Sequence, residues 1–353
     1  MAENIRMDSH KLLYHPERVA DWLHGKPIYP IEMEVGLSGA CNHRCIFCAV
    51  DYMGYQANFL DMKILLDNLK ELAPKGLKSI IFSGEGEPLL HKDAPHVFCE
   101  AKRLGIDCAL ATNGVLLTKE KAEVILPAMS WIRFSIAAAT ESTYAAIQRG
   151  KAGDLHKVFQ NLQEAVKIKR DGKLSVTLGA QLLLLEENKH EVPLLAKTLR
   201  EIGMDYLTVK PFSQHPSSKV KRQVDYSESA EIETEAKELA TENFAVYFRR
   251  QSIENIEHEK PYDCCHALPF MTHVSAKGDV FPCVAFVGND KLCYGNLYEN
   301  TFKEIWESDK TKRIMETFSG AFLKTNCRKA CRLDEMNKYL NELKHPGAHV
   351  NFI

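Results

Sequence analysis

Six short apolar segments follow one another through the first 209 residues, and each leads into a polar or amphipathic stretch. Apolar runs of this length, bounded by polar or glycine-containing turns, predict buried parallel strands. The clearest helix between them is predicted at 154–170, with Asp154 as its N-cap and Gly172 after its end. Strand followed by helix, six times over, predicts an α/β fold, a partial (β/α)6 TIM-like barrel. The predicted strands are 31–37, 79–82, 107–111, 131–136, 176–183 and 206–209.

The cysteines of this 353-residue chain indicate metal or redox chemistry. There are 11 of them, and the first residues lack the basic segment and apolar core of a secretion signal. We therefore expect a cytoplasmic protein, in which thiols bind metals or react more often than they form disulfides. Three cysteines stand in CNHRCIFC, residues 41–48, directly after the first predicted strand. Six more follow residue 263, so we expect two metal regions.

Charge and hydropathy exclude two classes of partner. The formal net charge is −2, with no strong field of one sign that would favour nucleic acid. Aliphatic runs such as 182–185 are too short to span a bilayer. We expect no nucleic-acid and no membrane partner, but a small or specific one.

The spacing C-x3-C-x2-C supplies three ligands to a 4Fe–4S cube and leaves its fourth iron open. With Phe47 before the third cysteine, the motif resembles that of the radical S-adenosylmethionine (SAM) superfamily. The resemblance implies that Cys41, Cys45 and Cys48 hold a 4Fe–4S cluster whose open iron binds SAM. Reduction of that cluster then cleaves SAM to a 5′-deoxyadenosyl radical. The alternative is a zinc loop with His43 as the fourth ligand.

Turns after the next strands also resemble the family. SGEGEPLL, residues 83–90, is similar to its glycine-rich turn, which lets backbone approach SAM and places a carboxylate on the SAM ammonium. ATNG, residues 111–114, is similar to a turn that borders SAM, and RFSIAAAT and AIQRGKAG follow. The resemblance implies SAM contacts for Phe47, Gly84, Gly86, Glu87, Asn113, Ser135 and Arg149.

Each of the later SAM contacts has a plainer structural interpretation. Asn113 is a residue type common in left-handed turns, and Ser135 is typical of a strand end. Arg149 is equally typical of a charge that interacts with the end of a helix. The sequence leaves both interpretations open.

The late cysteines resemble those of a SPASM or shorter twitch domain, which carries auxiliary iron–sulfur clusters. Twelve residues separate Cys265 from Gly278, and four more separate Gly278 from Cys283. KGDVFPC predicts a hairpin whose second strand ends at the ligand. The resemblance implies at least one auxiliary 4Fe–4S cluster, and a twitch-like domain rather than a two-cluster SPASM domain. Its four ligands would be Cys265, Cys283, Cys327 and Cys331.

Four other cysteines fit the ligand pattern of an iron–sulfur cluster less well. Cys264 is an alternative to Cys265, and Cys293 could serve a second, incomplete cluster; otherwise both are buried or spare thiols. Cys99 and Cys108 are predicted to be ordinary thiols. The predicted division of the chain is an N-terminal extension at 1–30, the radical SAM barrel at 31–215, a connecting helix and strand at 216–260, and the SPASM or twitch domain at 261–353.

The resemblance implies an enzyme that abstracts a hydrogen atom from an unactivated carbon. A fully ligated auxiliary cluster favours net oxidation, so we expect an oxidoreductase that dehydrogenates a sugar or aminocyclitol, with reduced flavodoxin or ferredoxin as electron donor. Epimerases, deaminases and deoxygenases share this architecture.

Two other function classes remain open from the sequence. One is a peptide maturase that forms thioethers, crosslinks or epimers, although only about thirty residues precede the first strand, fewer than a usual recognition domain. The other is a non-catalytic metal scaffold, which would not need the turn at Glu87. Lys210 and His215 are candidate proton acceptors at the barrel mouth, and Glu85 and Gln181 are candidate substrate contacts.

Overall fold

The computed structural model describes residues 9–352. Over that part of the chain, no helix combines the length and the apolar character that crossing a membrane requires. Within these residues, ten strands form a single sheet. They are β1 (Glu32–Val35), β2 (Ser79–Phe82), β3 (Asp107–Thr112), β4 (Met129–Ser135), β5 (Thr177–Leu184), β6 (Tyr206–Pro211), β7 (Ala245–Phe248), β8 (Met271–Val274), β9 (Asp279–Phe281) and β10 (Gly295–Asn296).

The strand order is β10-β9-β8-β1-β2-β3-β4-β5-β6-β7. The eight strands from β8 through β1 to β7 run parallel, and β9 and β10 continue the sheet in antiparallel pairs. The predicted α/β fold with a parallel, TIM-like sheet is confirmed. All six predicted strands are present, with ends shifted by no more than two residues.

Helices join the parallel strands, as crossover connections require. Helix 154–170 is confirmed with one residue more, but its N-cap is Gly153 rather than Asp154. The carboxylate of Asp154 instead contacts the ring of His43. The helices are α1 (Pro16–Leu23), α2 (Met62–Leu72), α3 (Ala94–Arg103), α4 (Lys119–Ile125), α5 (Glu141–Gln148), α6 (Asp154–Asp171), α7 (Val192–Ile202), α8 (Ser229–Lys237), α9 (Arg250–Glu257), α10 (Phe302–Glu307), α11 (Asp309–Glu316), α12 (Gly320–Asn326) and α13 (Asp334–Lys344).

The sheet crosses the predicted domain boundaries. Strand β7, from the segment 216–260, pairs with β6, and β8, from 261–353, pairs with β1 along its whole length. All four residues of β8 are buried, and His273 lies opposite Glu34. The region that carries the late cysteines is therefore joined to the barrel through backbone hydrogen bonds.

The segment before β1 packs against the far end of the chain. Val19 of α1 and Ile28 form an apolar cluster with Phe270 and with Leu340 of α13. The indole N–H of Trp306 donates to the carbonyl oxygen of Ile28 at 2.8 Å. The described part of the predicted N-terminal extension is thereby fixed to the C-terminal region.

Candidate active site

The loop after β1 places three thiols against one cavity. Among residues 9–352, the only cysteines that line it are Cys41, Cys45 and Cys48. Burial, with smaller contributions from the charges of Glu87 and Cys48, raises the pKa of Cys41 to about 11. Burial likewise raises the pKa of Cys45, with the other two thiols adding to the effect. Three neighbouring thiols that face a cavity fit an iron–sulfur cube with one open iron, because each thiolate binds its own iron.

His43 lies in the same loop, but its ring is held by other side chains. Its Nε2 is 3.1 Å from Asp154 Oδ2, and its Nδ1 is 3.4 Å from Gln148 Nε2. In the described part of the chain, no group of three or more Cys, His, Asp or Glu side chains is arranged to hold a single metal ion. His43 therefore supports the loop, and both of its ring nitrogens already have partners.

The turn after β2 packs directly on the cysteine loop. The backbone N–H of Glu87 donates to the carbonyl oxygen of Ala40 at 2.8 Å. A Cβ on Gly86 would overlap the carbonyl oxygens of Ser38 and Ala40. Gly84 has a φ of +116°, a backbone conformation that side chains disfavour. The two glycines let the turn lie against the backbone that leads into Cys41.

The carboxylate of Glu87 is buried and held by three donors. Its Oε1 accepts from the backbone N–H of Leu89 at 3.1 Å and from Thr112 Oγ1 at 2.7 Å, and its Oε2 accepts from the backbone N–H of Asn113 at 2.8 Å. Burial raises its pKa, and these donors oppose the rise. A carboxylate offers about four acceptor positions, so Oε2 can accept from one further donor on the cavity side.

Most of the other predicted SAM contacts also line the cavity: Phe47, Gly84, Gly86, Asn113 and Ser135. Gln181, a candidate substrate contact, lines it as well. Ser135 lies opposite Gln181 in the pairing of β4 with β5. The side-chain amide of Asn113 donates to Asn42 Oδ1 at 2.7 Å, which ties the turn after β3 to the cysteine loop. Three successive strand ends thus contribute polar groups to one space.

Arg149 does not line this cavity. It ends α5 in a left-handed conformation, with a φ of +49°, and its side chain is exposed. Its backbone N–H donates to the carbonyl oxygen of Ala145 at 3.2 Å. The structure therefore places Arg149 as the C-cap of a helix, away from the predicted contact with the SAM carboxylate.

Lys210 reaches the cavity from the end of β6. It forms no ion pair with a carboxylate of residues 9–352. Burial, and then the positive charges of Arg328 and Arg133, lower the pKa of Lys210 to about 7. An amine with this pKa is populated in its neutral form at neutral pH and can accept a proton.

His215 is placed differently from Lys210. Its Nε2 donates to the carbonyl oxygen of Ala285 at 3.0 Å, and its Nδ1 accepts from the backbone N–H of Ser217 at 3.1 Å. The ring stacks on Tyr52, and burial lowers its pKa to about 4. Both ring nitrogens are occupied and the residue does not line the cavity, so the geometry does not support the predicted role as a proton acceptor.

Glu85 also points away from the cysteines. Its Oε1 accepts from the backbone N–H of Ala276 at 2.7 Å, and its Oε2 lies 3.5 Å from His273 Nε2. It lines a different cavity, between the cysteine loop and the hairpin of β8 and β9. Glu85 therefore joins the barrel to that hairpin.

Four of the late cysteines lie together. The thiol of Cys265 is affected by the charges of the other three, and burial together with these neighbours raises its pKa. Burial raises the pKa of Cys283 and of Cys327 to about 12. Cys283 follows the hairpin of β8 and β9, and Cys327 directly follows α12 as its C-cap. The four thiols, Cys265, Cys283, Cys327 and Cys331, fit a fully ligated cluster.

Two neighbouring cysteines are outside this group. Cys264 interacts with Lys344 and Asp263, and Cys293 donates to the carbonyl oxygen of Gly295 at 3.3 Å. Burial raises the pKa of each, and, unlike the four clustered thiols, neither is affected by the charge of another cysteine. The geometry favours Cys265 over Cys264 and gives Cys293 no cysteine partner among the described residues.

Three charged residues that line the cavity were not predicted from the sequence. They are Glu34, Arg133 and Arg328, and the cavity they line has a volume of about 330 Å³. Arg133 precedes Ser135 by two residues, so strand alternation directs both to the same face. Arg328 lies between Cys327 and Cys331. Alternation along β1 and β4 was the signal that could have identified the first two.

Two family models match the chain. Residues 35–199 match the radical SAM superfamily, and residues 264–332 match the SPASM iron–sulfur cluster-binding domain. The first match contains the cysteine loop and the turns after β2 and β3. The second contains all four of the late cysteines that lie together.

The two relatives described next share 27% and 26% sequence identity with this chain. A GTP 3′,8-cyclase of Chlorobaculum tepidum is 27% identical over 188 residues, which are 52% of this chain and 54% of that protein. An AdoMet-dependent heme synthase of Methanosarcina barkeri is 26% identical over 295 residues, 78% of this chain and 82% of the relative. This chain therefore spans about half the length of the first protein and most of the second.

Solved structures share the fold. The Streptococcus suis SuiB structure with bound S-adenosylmethionine has a TM-score of 0.66 at 18% identity, covering 95% of this chain and 79% of that one. The anSMEcpe structure with bound AdoMet has a TM-score of 0.60 at 19% identity, covering 87% and 91%. At these identities the likeness establishes the fold.

Proposed function

We propose that this chain, which belongs to the radical SAM superfamily and carries a SPASM domain, dehydrogenates a hydroxyl-bearing small molecule of the sugar or aminocyclitol type. The observation that supports this is Lys210, whose amine has no carboxylate partner in residues 9–352 and a pKa of about 7. It lies in the cavity that holds the three-cysteine loop. A buried neutral amine beside a radical site suits the removal of a hydroxyl proton.

The two domains bind 4Fe–4S clusters and SAM. We assign the SAM-binding cluster to Cys41, Cys45 and Cys48, with the fourth iron open to SAM. The free acceptor position of Glu87 takes the SAM ammonium, and Asn113 and Ser135 border the same ligand. The auxiliary cluster is assigned to Cys265, Cys283, Cys327 and Cys331.

Dehydrogenation of a carbinol removes one hydrogen atom, one proton and one electron. When bound, the cofactors would supply the redox chemistry, with SAM and its cluster providing the hydrogen-atom acceptor and the auxiliary cluster the electron acceptor. The remaining proton comes from the hydroxyl group. Lys210 accepts it, because its neutral form is available near pH 7. Reduced flavodoxin or ferredoxin is the proposed source of the electron that starts the cycle.

The names of the relatives favour a small molecule. The GTP 3′,8-cyclase and the AdoMet-dependent heme synthase are named for GTP and heme. The cavity volume of about 330 Å³ is within the range of small-molecule sites. A peptide remains the second candidate, because a SuiB structure with this fold was solved with its precursor peptide bound.

The test uses anaerobic, reduced holoenzyme with SAM and a panel of polyols, sugars and aminocyclitols. We expect substrate-dependent 5′-deoxyadenosine and a product two hydrogens lighter, detected by mass spectrometry. A substrate deuterated at the reacting carbon should transfer deuterium to 5′-deoxyadenosine. Turnover of peptides alone, or a product of unchanged mass, would contradict the proposal.

A further inference from the structure

The cavity contains more positive charge than its own carboxylates neutralise. Arg133, Lys210 and Arg328 line it, and none of them pairs with a carboxylate in the described part of the chain. Arg133 Nε and Arg328 Nε are buried and have no hydrogen-bond partner among residues 9–352. Buried donors of this kind are costly unless a ligand satisfies them.

The cavity's two carboxylates are already engaged. Glu34 lies 3.1 Å from a guanidinium nitrogen of Arg332 and accepts a hydrogen bond from Ser83. Glu87 accepts from three donors of the barrel. In the described part of the chain, neither carboxylate lies within ion-pair distance of Arg133, Lys210 or Arg328, although the charge of Glu34 acts on both arginines.

The two arginines come from different parts of the fold. Arg133 projects from β4 and stacks over Trp131, with its guanidinium carbon 5.4 Å from the ring centre. Arg328 lies between two auxiliary cysteines and donates to the carbonyl oxygen of Ser213 at 3.0 Å. The charges of both reach Lys210. An anion beside Lys210 would therefore interact with the barrel and with the SPASM region together.

We propose that the substrate carries an anionic oxygen group, a carboxylate or a phosphate, that Arg133 and Arg328 bind. This inference rests on the proposed function and narrows its substrate class to phosphorylated or carboxylated small molecules. Guanidinium groups suit such anions because they remain charged at neutral pH and offer paired donors. Lys210 is the group of the three that exchanges a proton near neutral pH.

The experiment measures anion binding directly. Anaerobic holoenzyme with saturating SAM is titrated by calorimetry, at constant ionic strength, with inorganic phosphate and separately with succinate. Wild type is compared with Arg133→Gln, Arg328→Gln and the control Arg170→Gln, which removes the same charge from an exposed helix position. Iron content and SAM affinity are measured for each protein.

We expect saturable binding of at least one anion, weakened about tenfold or more by each cavity substitution and unchanged in the control. Binding of phosphate alone identifies a phosphorylated substrate, and binding of succinate alone a carboxylated one. If Arg328→Gln loses iron, the anion affinity of Arg133→Gln alone decides whether the inference holds. No saturable binding, equal binding in all proteins, or a loss confined to SAM affinity would overturn the inference. A chain that cleaves SAM but binds neither anion would lose this inference and keep the proposed chemistry.

Discussion

Gly86 packs so closely on the backbone carbonyl of Ser38 that no side chain fits between them. The contact joins the glycine turn after β2 to the chain that leads into the cysteine loop. Anything that separates these backbones moves Glu87 relative to Cys41. The geometry of the proposed SAM site therefore requires a residue without a Cβ at position 86.

Replacing Gly86 with alanine should weaken SAM binding about tenfold or more, because a forced shift of packed backbone costs about 1–3 kcal/mol. Anaerobic calorimetry on reconstituted protein measures this. Gly347→Ala is the control, since a Cβ there meets nothing within 4 Å. Equal SAM affinity in both variants would show that the turn does not position the ligand.

Iron content should divide the cysteines into two groups. We expect about eight irons in wild type and about four after substitution of Cys41, Cys45 and Cys48 by alanine, with 5′-deoxyadenosine formed by wild type alone. Cys264→Ala and Cys293→Ala should retain wild-type iron. About twelve irons in wild type would indicate a second auxiliary cluster, and iron lost from Cys293→Ala would place that residue among the ligands.

Activity should rise with pH as Lys210 loses its proton. The pKa of about 7 predicts an increase from pH 6 to a plateau near pH 8. Lys210→Arg, which stays charged, should lower substrate oxidation about a hundredfold or more and flatten the profile. His215→Gln should leave the shape of the profile unchanged, because that ring lies outside the cavity. A profile unaffected by Lys210→Arg would remove this residue from the mechanism.

The stability of the chain should depend on the charge of His273. Burial opposes its protonation, but Glu34 and Glu85 more than offset burial and raise its pKa to about 9. A raised pKa stabilises the folded state fully below about pH 6.5, and this contribution is lost as pH rises through about 9.

His273→Gln should therefore lower the free energy of unfolding by on the order of 2–3 kcal/mol at pH 6, and by less at pH 10. Thermal unfolding under anaerobic conditions at both pH values measures the difference. His96→Gln, at an exposed position of α3, serves as the control. Equal destabilisation of His273→Gln at both pH values would show that His273 contributes packing rather than charge.

The strands were predictable where burial on both faces leaves an apolar run, as in 79–82, which is unchanged in the structure. The place of β8 in the barrel sheet was not predicted, because its sequence, MTHV, is not a continuous apolar run. Its burial depends on pairing with β1, some 240 residues earlier in the chain. A local pattern does not contain that information.

The site was predictable to the extent that motifs encode it. The cysteine loop and the turn at Glu87 follow strands whose ends meet at one edge of the sheet, so the order of motifs implied their proximity. Arg149 was not predictable in this way. An arginine stands where the family motif has one, but the chain at the end of α5 places it outside the cavity. Arg328 had no strand pattern to mark it, and its place in the cavity depends on how the late cysteines fold.

The pairing of β8 with β1 has a consequence for biosynthesis. One edge of β1 has unpaired backbone groups until residues 271–274 have left the ribosome, although β2 can pair with the other edge much earlier. Such an open edge is prone to intermolecular pairing, and closing it requires a contact of high sequence separation, which slows folding. A fragment that ends before β8 should aggregate, so the barrel and the auxiliary-cluster region mature as one cooperative unit.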